Sequence, residues 1–126
     1  MKRKILVVDD EPEMVKMLAD FLAHAGYDVK TAADGQEAFD TISKMLPELI
    51  LMDILLPKMD GWLVCQKVKA DEKLKKIPII LFSGMLAGDS PADPAIEKCD
   101  YLIAKPVEMQ NLLLKIKEFL PPPATT

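Results

Sequence analysis

The 126 residues suffice for one domain with a sizeable core and are too few for two. Half of them are apolar and 29% are charged, which predicts a globular, soluble domain with a solvated surface. The net charge of −4 leaves no general pull toward phosphate backbones, and no apolar run approaches the roughly 20 residues of a membrane span. Direct nucleic-acid binding by this chain and a membrane partner are therefore not expected, and the expected location is cytoplasmic.

Lys4 to Val8 is a β-branched run that stops at Asp9 and Asp10, and Pro12 suits the first turn of a helix. Met14, Leu18, Phe21, Leu22 and Ala25 recur at helical spacing, with Gly26 as the stop signal. Asp28 to Ala32 reads as a second strand. Asp34 and Glu37 form a capping-box pattern for a helix carrying Ala38, Ile42 and Met45. Leu49 to Met52 is a third strand, apolar throughout as a strand covered on both faces should be, and it too ends on an acid, Asp53. Pro57 to Gly61 is turn chemistry, followed by a helix from Trp62 to Lys69. Ile77 to Phe82 is the fourth strand, ending at Ser83 and Gly84. Pro91 and Pro94 make the stretch from Met85 to Lys98 a loop or a short, distorted fourth helix. Tyr101 to Ala104 is the fifth strand, ending at Lys105 and Pro106. Leu112, Leu113, Ile116 and Leu120 stripe a last helix, which Pro121 to Pro123 stop.

Several conspicuous residues have plain readings. Lys73, Lys75 and Lys76 lie beside Asp71 and Glu72 and read as a solvated face. His24, the single histidine, reads as a surface or helix-capping residue. Cys65 and Cys99 have neither metal-ligand nor disulfide-framework spacing.

Five strands alternating with helical segments imply a doubly wound α/β fold with a parallel sheet and right-handed crossovers. Ligands of such sheets sit beyond the carboxyl ends of the strands. Those ends carry Asp9, Asp10, Asp53 and Lys105, with Ser83 at a fourth. Converging carboxylates disfavour their own charged forms unless a cation is present, and oxygen ligands without His or Cys favour Mg²⁺. Lys105, Ser83 and nearby backbone N–H groups could serve the oxygens of a phosphoryl group. Each residue also has a structural alternative: Asp10 could cap the helix at Pro12, and Ser83 and Lys105 could be ordinary turn and surface residues.

Taken together, Ile5 to Asp10, Leu51 to Asp53, Pro57 to Gly61, Phe82 to Gly84 and Lys105-Pro106 resemble the motifs of response-regulator receiver domains, over Lys4 to Leu120. The resemblance implies a flavodoxin-like three-layer (βα)5 sandwich with strand order 2-1-3-4-5, formed by residues 1–120, with 121–126 a proline-rich tail or the start of a linker. It implies Asp53 as the nucleophile that accepts a phosphoryl group, and Asp10, Asp53 and the carbonyl of Leu55 as Mg²⁺ ligands, with Asp9 acting mostly through a metal-bound water. It places Ser83, Lys105 and the backbone N–H of Gly84 on the phosphoryl group. The implied partners are a histidine kinase or phosphotransfer protein and a downstream protein or fused output domain. One departure stands out: the position where the family usually has an aromatic switch residue holds Leu102, and Tyr101 beside it should face the other side of the sheet.

Two other classes compete with this phosphorylation switch. A hydrolase working through an aspartyl phosphate needs a general acid near the nucleophile, and Leu55 offers none. A purely protein-binding module would have no use for the combined set Asp9, Asp10, Asp53, Ser83 and Lys105.

Overall fold

The computed structural model describes residues 3–54, 56, 61–83, 100–104 and 107–120. Five parallel strands form one sheet of order β2-β1-β3-β4-β5: β1 Lys4–Val8, β2 Asp28–Ala32, β3 Leu49–Asp53, β4 Ile79–Ser83 and β5 Tyr101–Ala104. Four helices appear among the described residues: α1 Pro12–His24, α2 Gly35–Met45, α3 Gly61–Ala70 and α4 Met109–Phe119. The helix expected between Met85 and Lys98 lies outside the described residues. The doubly wound architecture and the strand order expected from the sequence are both present.

Strand alternation divides the core in two. Ile5, Val7, Leu49, Leu51, Ile80 and Phe82 face Leu18 and Leu22 of α1 and Leu112 and Ile116 of α4. Their neighbours Leu6, Val8, Ile50, Met52, Ile79 and Leu81 face Ala38 and Ile42 of α2 and Val64, Cys65 and Val68 of α3. Each central strand is thus buried on both faces, which is why β1 and β3 are apolar at nearly every position.

Helix ends follow their sequence signals. Pro12 opens α1. At its other end Gly26 takes φ +105°, with Gly26 N–H donating to the Ala23 carbonyl and Tyr27 N–H to the Leu22 carbonyl. Those two bonds make a Schellman stop, which a side chain at position 26 would strain. Asp34 accepts a hydrogen bond from Glu37 N–H (2.8 Å) at the start of α2, while Glu37 Oε2 accepts from Ala33 N–H (3.3 Å). β4 begins two residues later than the apolar run suggests. Ile77 is buried but belongs to the preceding turn, its N–H bonded to the Leu74 carbonyl, and Pro78 has no N–H to give to a ladder. His24 is the exposed last residue of α1, and Lys75 pairs with Glu72 (2.8 Å) on an exposed surface.

Candidate functional site

β1 and β3 are neighbours with Val8 opposite Met52, so the residues that follow them, Asp9 and Asp53, emerge together at the carboxyl end of the sheet. Asp9, Asp10 and Asp53 each present a carboxylate oxygen within 4.8 Å of the others. Asp9 is 1% exposed and Asp53 6%, while Asp10 opens to solvent. Asp10 does not cap α1: the cap position is Glu11, which makes no side-chain capping bond. The local turn is made instead by Asp9, whose Oδ1 accepts from Glu11 N–H (3.0 Å) and whose own N–H donates to the Ala32 carbonyl (3.2 Å). The capping alternative for Asp10 therefore fails, and its carboxylate stays with the cluster.

Like charges this close, two of them largely out of water, suit a hard cation. The donor set contains only carboxylate oxygens, with no His or Cys in the group, and so fits Mg²⁺ better than Zn²⁺. A cleft of about 410 Å³, bordered by Asp9, Asp10, Pro12, Lys16, Thr31 and Glu37, opens beside the acids. A larger hollow of about 510 Å³ lies between edge strand β5 and α4, bordered by Tyr101, Leu102, Asn111 and Lys115. The candidate site is the carboxylate group itself, whose members Asp9 and Asp10 border the smaller cleft.

The end of β3 is held from two directions. Asp53 pairs with Phe82 in β4, and Ile54 N–H donates to the Phe82 carbonyl (3.0 Å). From the other side Gly61 N–H, at the start of α3, donates to the Ile54 carbonyl (2.7 Å). Ser83 is the last residue of β4, in register with Ala104 of β5. Leu55, Gly84 and Lys105, the remaining candidates, lie outside the described residues.

Tyr101 lies on the α4 side of β5, its ring 6.4 Å from that of Phe119 and 4.3 Å from Lys115 Nζ. Leu102 takes the opposite face at 37% exposure. Tyr101 and Leu102 thus lie on opposite faces of β5, as strand alternation in the sequence predicts. In the sequence Gly61 reads only as a turn residue. Its packing against the Asp53 backbone leaves no local signal, because the contact joins two elements whose approach sequence spacing does not specify.

Comparison with known proteins agrees with this geometry. Residues 5–117 match the response regulator receiver domain family. The chain is 34% identical over 124 residues to the DNA-binding dual master transcriptional regulator RpaA of Synechocystis, covering 93% of this chain and 48% of RpaA. It thus spans about half the length of the curated relatives it matches. Among solved structures it is similar to a response regulator of Chloroflexus aurantiacus (TM-score 0.85, 34% identity, 95% of this chain and 98% of that one). It is also similar to TrrA of Thermotoga maritima in complex with Mg²⁺-BeF (TM-score 0.84, 29% identity, 94% and 99%). Taken with the parallel sheet and the acids at its carboxyl end, these matches make the chain a member of the response regulator receiver domain family, the switch module of two-component signalling.

Proposed function

We propose that this receiver domain, residues 1–120, takes a phosphoryl group onto Asp53 from a histidine kinase or phosphotransfer protein, working in the cytoplasm. Among the described residues no helix is long and apolar enough to cross a membrane. The observation that carries the reading is the convergence of Asp9, Asp10 and Asp53 at the carboxyl ends of β1 and β3. TrrA, similar over nearly its whole length, has been seen with Mg²⁺ and beryllium fluoride, the latter a stand-in for a phosphoryl group.

In this mechanism Asp10, Asp53 and the Leu55 carbonyl would hold Mg²⁺ directly and Asp9 indirectly, and the ion would supply positive charge that offsets the charge of the phosphoryl oxygens. A carboxylate oxygen of Asp53 attacks phosphorus in line. As the new P–O bond forms, the P–N bond to the donor imidazole breaks, and its electron pair stays on nitrogen, which is protonated. Lys105, Ser83 and the N–H of Gly84 receive the transferred group, so the chain works by positioning and electrostatics rather than by turnover. Phosphorylation then changes the surface offered to a downstream protein or fused output domain. RpaA is a DNA-binding regulator of about twice this length, which makes a DNA-binding output attached to the receiver a fitting partner.

Incubation with a small phosphodonor and Mg²⁺, followed by intact-mass measurement, tests the reading. One phosphoryl mass is expected on the wild type and none on Asp53→Ala. A label that survives in Asp53→Ala places the nucleophile elsewhere, and steady phosphate release without an accumulating label favours a hydrolase. A wild type that never labels favours a binding module.

A further inference from the structure

The start of α3 lies against the backbone that carries Asp53. A Cβ built on Gly61 would stand 3.0 Å from Ile54 Cα and 3.1 Å from the Asp53 carbonyl carbon, with the Asp53 carbonyl oxygen nearer than either. All three are backbone atoms, so no flexible side chain can swing aside. Gly61 is buried, and its N–H holds the Ile54 carbonyl at 2.7 Å. The glycine is not there for dihedral freedom, since it opens a helix, where alanine is the better helix former. Gly26, by contrast, needs its positive φ, yet a methyl group there would meet nothing within 4 Å. One glycine serves the backbone angle and the other serves contact.

We infer that Gly61 is a positioning residue for the phosphoryl-acceptor site: only a residue without a side chain lets α3 close on the Asp53–Ile54 peptides and fix the nucleophile and the metal ligands. This rests on the proposed phosphoryl transfer to Asp53. With the Phe82 carbonyl holding Ile54 N–H from the β4 side and Gly61 N–H holding the Ile54 carbonyl from the α3 side, the residue after the nucleophile is fixed at both of its backbone polar groups. It leads directly into Leu55, whose carbonyl is the proposed third metal ligand. A methyl at position 61 forces α3 and the end of β3 apart, while sites of this kind tolerate only about 0.5 Å of displacement.

The test compares wild type, Gly61→Ala and Gly26→Ala for Mg²⁺ affinity, phosphodonor labelling rate and thermal stability. Gly61→Ala is expected to weaken Mg²⁺ binding and to slow labelling by roughly 10- to 100-fold at saturating Mg²⁺. Gly26→Ala, strained at its positive φ but remote from the acids, is expected to melt earlier and to keep wild-type affinity and rate. Gly61→Ala with wild-type affinity and rate overturns the inference, as does an equal functional loss in both folded variants. A measurement without mutation covers the case in which Gly61→Ala does not fold. In amide spectra of the wild type titrated with Mg²⁺, the Gly61 resonance should move and the Gly26 resonance should stay, and a stationary Gly61 overturns the inference. A wild type that binds Mg²⁺ but never labels sinks the proposed phosphoryl transfer and this inference with it, whereas a labelled wild type with an indifferent Gly61→Ala sinks this inference alone.

Discussion

The two ends of the sheet treat charge in opposite ways. At the amino ends of the strands opposite charges are paired and tied to backbone. Arg3 meets Glu48 at 2.8 Å ahead of β1 and β3, and Glu48 also accepts from Lys4 N–H (3.1 Å). Ahead of β4 and β5, Lys69 Nζ donates to the carbonyls of Lys75 (3.1 Å) and Ile77 (2.8 Å) and to Asp100 Oδ2 (2.9 Å). Asp100 Oδ2 in turn accepts from Ile79 N–H (2.7 Å). At the carboxyl end, among the described residues, the carboxylates of Asp9, Asp10 and Asp53 lie within 4.8 Å of one another. The contrast separates a stabilising end from the end where the proposed chemistry lies. The central strands between them have side chains wholly out of water, each such Leu or Ile worth roughly 1.5–3 kcal/mol.

The largest effect on stability expected from this contrast is at Lys69. Its replacement in Lys69→Met leaves two loop carbonyls and Asp100 without their ammonium, and a hydrogen bond to a charged group contributes about 1.5–3 kcal/mol. Because the lysine is only 16% exposed, solvent cannot take over its role cheaply. Chemical denaturation should show a loss of roughly 2 kcal/mol, while phosphodonor labelling of the folded protein stays at the wild-type rate. Unchanged stability, or slowed labelling at full folding, would break the division between the two ends.

Tyr27 sharpens the same contrast because it is the amino end's exception. Its ring is buried beneath α1, and its hydroxyl finds no hydrogen-bond partner among the described residues. Tyr27→Phe removes an unsatisfied polar atom, so a gain of about 1 kcal/mol is expected at neutral pH. Burial also raises the Tyr27 pKa above 10.0. The unfolded chain therefore loses the phenolic proton first. This component of stability is intact below pH 10.0 and is lost as pH climbs from there through the higher folded value. The stability difference between Tyr27→Phe and wild type should accordingly widen above pH 10.0. Parallel pH curves for the two proteins would show that the hydroxyl is hydrated.

Much of this is legible in the chain. The runs Ile5–Val8 and Leu49–Met52 are apolar because strands buried on both faces must be, and the acid that follows each run marks the carboxyl end of its strand. Alternation alone puts Tyr101 and Leu102 on opposite faces, where the structure has them. What spacing does not reveal are contacts between elements distant in sequence. Lys69 and Asp100 lie 31 residues apart, and nothing local in either marks the other. Gly61 reads as turn chemistry because its constraint comes from the Asp53 backbone rather than from its own dihedrals. Ile77 reads as part of β4 because apolar burial and strand pairing usually coincide, and there they do not.

The smallest expected stability effect is the most telling about the chemical end. Asp10 is the solvent-exposed member of the carboxylate group, so Asp10→Asn removes one negative charge while preserving size and most of the hydration. Without metal and at low salt, relief of like-charge crowding at an exposed position should raise stability by only about 0.5 kcal/mol. With Mg²⁺ the order should reverse. At a concentration 100 times the dissociation constant, binding stabilises the wild type by about 2.7 kcal/mol, and a variant deprived of a ligand loses most of that. Thermal melts of both proteins with and without Mg²⁺ should therefore cross: the variant melts higher in chelator and lower in Mg²⁺. Added neutral salt should shrink the gain in chelator, since screening already weakens the repulsion that the substitution removes. If Asp10→Asn gains as much from Mg²⁺ as the wild type does, Asp10 is not a ligand. If it is less stable than wild type even in chelator, the carboxylates support the fold instead of straining it, and the contrast between the two ends of the sheet fails at the end where function was placed.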